Sequence, residues 1–197
     1  WEGINKGDAN VTEVDWNKDN AGTVEINKGS WNGNNTGTAT LTDVEWEGNN
    51  KNKVIVNNGS WVGSNESAGE ATLSGGEWTG DNSGTVKMNG GTWSGNNEAQ
   101  GNATIEGGTW KGANAGIVNF KGGSWTGDNT ETGKVTVTAD GWTGNNTGAG
   151  TVIVKGATWG GNNLGAGATL TFNEKASWTG DNSGADATVK LDGASNW

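Results

Sequence analysis

The side chains that most often do chemistry are missing from this chain. It holds no His, Cys, Arg or Tyr, so the commonest general base, the thiolate nucleophile and the usual zinc ligands are unavailable. What remains is carboxylates, lysines, hydroxyls, amides and 13 Trp. The pairs Asp19-Asn20, Asp81-Asn82, Asp128-Asn129 and Asp181-Asn182 offer oxygen ligands of the kind Ca2+ takes. One carboxylate per pair, absent from the adjacent repeats, is too sparse for a cation cage. A glycosidase pair would stand out as a local departure from the repeat, and the acids here are instead scattered over exposed positions. The reading is therefore not an enzyme, with no catalytic, cofactor-binding or metal residues.

Two arrays remain that could hold a ligand. One is the Trp column, a possible stacking platform for sugar rings. Its phase argues for core, because Trp alternates with Ser, Thr, Asp, Asn and Lys neighbours as an inward position alternates with outward ones, and an exposed indole column would be a large sticky patch. The other is that outward set: Thr92, Ser94 and Asn96; Ser124, Thr126 and Asp128; Thr143 and Asn145; Ser177, Thr179 and Asp181. A flat array of short polar side chains could order water or bind sugars through many weak hydrogen bonds. Lys111, Ala113, Glu45 and Glu47 interrupt it.

The elements that position both arrays follow from the spacing of Trp. It stands at 1, 16, 31, 46, 61, 78, 93, 110, 125, 142, 159, 178 and 197, so the repeats run 15 to 19 residues and lengthen toward the C-terminus. A fixed short period marks a solenoid, in which each repeat buries its apolar face by stacking on its neighbours. In every repeat an apolar pair is separated by one residue, as in Val24 and Ile26, Val86 and Met88, or Leu170 and Phe172. That alternation is a half-buried strand. A second short strand is centred on Trp, and Gly-rich elements such as Gly90-Gly91 separate the two. Proline is absent, as a stack of parallel strands requires of its backbone donors.

The expected fold is thus all-β: a single-stranded parallel β-solenoid of about 12 coils, widening toward the C-terminus and leaning right-handed by the usual crossover preference. Residues 1–197 form one continuous repeat domain. At ~4.8 Å per coil the rod is roughly 58 Å long. The structural ladders are Trp16, Trp31, Trp46, Trp61, Trp78, Trp93, Trp110, Trp125, Trp142, Trp159 and Trp178, with the Asn four residues after each Trp: Asn20, Asn35, Asn50, Asn65, Asn82, Asn97, Asn114, Asn129, Asn146, Asn163 and Asn182. Stacked Asn side chains can pass amide hydrogen bonds from coil to coil. Most length changes come in twos, which keeps each side chain on its face. In the last two coils the apolar pair sits eleven and thirteen residues after Trp, as though one residue entered on each side of the strand.

The net charge of -10 leaves no basic footprint for nucleic acid, and no apolar run approaches the length of a membrane span. Starting and stopping on a repeat Trp suggests a piece of something longer. On this repeat and composition the chain resembles the β-solenoid regions of secreted bacterial surface proteins, of the adhesin and autotransporter-passenger type. The Asn column is similar to the ladder of pectate-lyase-type β-helices, although the arginine those lyases use as a base has no counterpart here. The 15-residue coil is similar in size to insect ice-binding solenoids, whose Thr-x-Thr column is matched in patches such as Thr38, Thr40 and Thr42. These resemblances imply an extracellular or cell-surface structural protein, a stalk, adhesin segment or filament subunit that self-associates end to end or belongs to a longer chain. The alternative they imply is a solenoid that binds ice or polysaccharide through its outward Ser/Thr/Asx face.

Overall fold

The computed structural model describes all 197 residues. It is an all-β solenoid of about twelve coils with every strand pair parallel, and it contains no helix. Each coil contributes an apolar-pair strand, a corner, a Trp strand and a second corner at the ladder Asn. The register is like on like. Val24 lies over Ala39, Ile26 over Leu41 and Trp31 over Trp46, and the same columns continue up the rod.

The corner between the two strands takes two forms. In the first coils β1 (Asp8–Trp16), β2 (Thr23–Asn32) and β3 (Thr38–Glu47) run unbroken through it. They bend at Glu13, Lys28 and Asp43, which sit at φ of 55°, 66° and 55°, with Gly29 beside Lys28 also positive at 118°. Farther on, a glycine pair makes a sharper turn and divides the strand, as between Thr85–Met88 and Thr92–Ser94, where Gly91 has φ 81°.

The other corner absorbs the length changes. Two residues separate Asn50 from the start of its strand at Lys53, whereas four separate Asn65 from the paired Glu70. The same insertion falls at residues 98–101, 130–133 and 147–150, so the strands on either side keep their faces. In the last two coils the turn grows by one more residue, and Ala168 takes the buried place that Gly150 holds in the preceding coil. Ala168 is fully buried below Leu170 and Phe172. The residue added on the far side of that strand is taken up at Glu174 and Lys175, both at positive φ. Widening at the C-terminal end therefore occurs by one extra residue on each side of the strand, as the sequence predicts.

The core is the union of the inward columns. Trp16 to Trp178 are at most 3% exposed, and the apolar pairs pack beside them. Where the corner carries Val44, Ala157 or Ala176 in place of Gly, that side chain is buried too. The Trp strands form a continuous ladder as far as Trp142 and resume as a separate pair, Thr158–Trp159 with Ser177–Trp178. At the break the Thr158 N–H donates to the Asp140 carboxylate at 2.6 Å rather than to a backbone carbonyl.

The Gly two residues after Trp, replaced only by Lys18 in the second coil, lies against the coil below. A Cβ built on Gly95 would stand 1.9 Å from the Gly80 carbonyl oxygen. At Gly95 a side chain would lift one coil off the next. Gly95→Ala is expected to cost roughly 3 kcal/mol or more, as a backbone clash in a packed interior does. Gly160→Ala, whose Cβ would meet nothing within 4 Å, is the control and should leave the thermal unfolding midpoint unchanged.

Candidate functional site

The repeating inward unit is a Trp, a Gly carbonyl and an Asn, and its hydrogen bonds run in two directions. Each indole N–H from Trp16 to Trp197 donates to the carbonyl two residues after the preceding Trp, at 2.7–3.1 Å; Trp93 bonds Gly80 and Trp110 bonds Gly95. Each ladder Asn donates an amide hydrogen to the Oδ1 of the Asn one coil farther on, at 2.7–2.9 Å. Its remaining hydrogen meets backbone carbonyls at the corner, as Asn97 does at Gly101 and Ile117. Indole donors point toward the N-terminal end and amide donors toward the C-terminal end. Asn20 to Asn163 are fully buried, and no buried side-chain polar atom lacks a partner.

A second ladder on the outside was not anticipated. The residue three after Trp is Asp or Asn in nine coils, and in each of the eight with a further coil above, its Oδ1 accepts the backbone N–H of the equivalent residue there, at 2.7–3.0 Å. This changes the reading of the outward face. Asn96, Asp128 and Asn145 spend an oxygen on the next coil, so their primary role is to hold the stack. The Asp of each Asp-Asn pair is a member of this ladder. No group of three or more Asp or Glu side chains is placed to hold a metal ion. The signal in the sequence is the column of Asx at one offset, whose members the spacing alone assigns to the outward binding array.

The structure brings Thr92, Ser94, Ser124, Thr126, Thr143 and Thr179 onto one face beside that ladder, pointing outward. Ser177 differs in that its hydroxyl bonds the Thr158 hydroxyl at 3.1 Å across the coil boundary. Charge divides between the two faces. The outward positions of the Trp strand carry Asp15, Asp19, Glu45, Glu47, Glu77, Asp81, Asp128 and Asp181 against a lone Lys111, whereas the apolar-pair strand mixes lysines and acids. On the latter face Glu106 lies 3.0 Å from Lys87 and 3.7 Å from Lys121. A hydrogen bond from Lys87, aided by both ammonium charges, holds its carboxyl below the usual range.

Like charges are kept apart along the columns. The residues just before Trp run Asp15, Ser30, Glu45, Ser60, Glu77, Thr92, and in the outer Asx ladder no Asp stands on another Asp. Direct stacking of carboxylates one strand apart would be repulsive.

Comparison with known protein families, curated proteins and solved structures finds no match to this chain.

Removing one inner amide should therefore cost more than removing one outer carboxylate. Asn97→Ala orphans a buried donor on Asn82 and a buried acceptor on Asn114, and about 2–4 kcal/mol of stability should be lost in denaturant melts. Asp128→Ala, at a half-buried site, should cost about 1 kcal/mol. Ser60→Glu, set between Glu45 and Glu77, should destabilise by roughly 0.5 kcal/mol for each like-charged neighbour. Screening by salt should recover most of that loss, measured as a rise in melting temperature between low and 1 M ionic strength.

Proposed function

We propose that the chain is a structural element of an extracellular or cell-surface protein, a stiff rod whose work is to extend. The observation that carries this reading is the open, complementary state of its two ends. At the N-terminal end Asn5 presents an Oδ1 that no preceding ladder Asn reaches, together with the half-exposed ring of Trp1 and the unpaired edge of β1. At the C-terminal end Asn182 presents amide hydrogens beside the strand Thr188–Leu191, with Trp197 57% exposed. Acceptors at one end face donors at the other, so further coils continue the ladders in the same polarity. A second copy joined end to end would supply such coils. A rod held by three ladders and a closed aromatic core suits a stalk, adhesin segment or filament subunit.

The second reading, binding of ice or polysaccharide, keeps one favourable observation. The hydroxyls of Thr126 and Thr143, neighbours in one column that Lys111 separates from Ser94, project outward next to Asx residues that are already committed to the stack, so a short rigid pair of hydroxyls remains for a ligand. The acidic residues of the same face restrict it to neutral or cationic ligands.

Negative-stain electron microscopy across a concentration series separates the two. End-to-end assembly gives fibres of one rod width that lengthen with concentration, and Asn10→Pro, which places a proline where the N–H of β1 points off the open edge, shortens them. Isolated rods of about 58 Å at every concentration would remove self-assembly from the reading. Retardation on a neutral polysaccharide column that is abolished by Thr126→Lys with Thr143→Lys would favour binding.

A further inference from the structure

The Trp column does more than fill the core. All thirteen indoles form one uninterrupted stack, with successive ring centroids 4.5–5.3 Å apart and ring planes within 6–15° of parallel. That is offset-stacked geometry with the π-faces in contact. The stack crosses the break in the backbone ladder between Trp142 and Trp159 without widening beyond 4.9 Å. Its inner members are shut off from water, and in this chain solvent reaches the column at Trp1, 42% exposed, and at Trp197, 57% exposed.

We propose that this stack is a conduit for one-electron oxidising equivalents along the length of the rod. Indole is the readily oxidised group here. There is no Tyr, Cys or His to intercept a hole, and the single Met, Met88, is buried to one side in the apolar-pair strand. A radical cation in an apolar core needs negative charge or dipoles nearby. Each indole N–H from Trp16 onward points at a Gly or Lys18 carbonyl, the negative end of a fixed dipole. The same strand carries the chain's acidic face on its outer side. A peptide carbonyl is too weak a base to take the indole proton, so the hole moves without a proton having to follow.

The electron balance is simple. A one-electron oxidant, such as a photogenerated ruthenium(III) polypyridyl complex, takes one electron from the indole it contacts and is reduced to ruthenium(II). The neighbouring indole returns that electron and becomes the radical cation in turn. Repetition carries the hole to the far end, where a one-electron donor such as ascorbate fills it, or the solvent-exposed terminal indole loses its N–H proton to water and the neutral radical adds O2, forming a C–O bond; one electron from ascorbate and one proton then convert the peroxyl to a hydroperoxide. No bond is made or broken among the buried indoles.

Because the chain has no Cys, Ala194→Cys gives a unique attachment point for the ruthenium complex beside Trp197, on an exposed turn. After flash-quench oxidation of the full-length protein at high dilution, peptide mass spectrometry locates oxidised Trp. The expected result is oxidation at Trp1, at the far end, in a yield independent of protein concentration. With Trp93→Phe, which retains an aromatic ring but removes the readily oxidised one, product at Trp1 should be lost while product at Trp178 and Trp197 persists. The proposal is overturned if oxidation in the otherwise unaltered sequence stays confined to Trp178 and Trp197, or if product at Trp1 rises with concentration as intermolecular collision requires. Should Trp93→Phe fail to fold, a label on Lys111→Cys, beside the middle of the stack, tests the same claim: oxidation must then appear at both ends.

Discussion

The structure depends on one constraint, that each coil lies directly on the last in unbroken parallel register. Every inward side chain therefore has its own kind as nearest neighbour along the rod, Trp on Trp and Asn on Asn. Only residues that pair well with themselves suit such positions. Indoles do so by offset stacking, aliphatic side chains by packing, and carboxamides because each carries both a donor and an acceptor. Aspartate at the ladder corner would set carboxylates on one another with no proton to share, which is the physical reason that column is Asn throughout. The outer columns obey the same rule by alternating charged with neutral residues, as in Asp15, Ser30 and Glu45, where the Ser30 hydroxyl donates to the Asp15 carboxylate.

The same constraint explains how so thin a protein buries so large an aromatic core. A coil of fifteen residues has few inward positions, so each must do several jobs. The indole stacks, excludes water, and donates its N–H to a carbonyl one coil away, and that donation is possible because glycine lets the carbonyl come close. Opposed polarity between the indole and amide ladders gives each end of the rod a distinct set of unsatisfied groups. Both the proposed structural role and the proposed charge conduit rest on continuity. The first needs the ladders to extend past the terminal coils, and the second needs the π-stack to be unbroken within them.

Much of this was legible in the sequence. The Trp period fixed the number of coils, the alternation around each apolar pair identified inward residues, and the Asn offset announced the inner ladder. Those features are periodic, and periodicity survives in one dimension because each residue meets its equivalent. The outward Ser and Thr positions were also placed on the right face. The role of Asn96, Asp128 and their equivalents is what the sequence does not show: they read as members of an outward binding array, because composition does not distinguish a free side-chain oxygen from one that accepts a backbone N–H.

By itself, then, the amino-acid order determined the repeat, the inward and outward columns and the lengthening of the coils, since all of these are set by alternation within a strand. The tertiary structure decided the rest. Which carbonyl the indole N–H meets, which N–H the outer Asx oxygen accepts, and where the inserted residues protrude depend on the pitch and on the turn at each corner. Those fix the contact between residues 13 to 19 positions apart, a separation at which local sequence preferences exert no force.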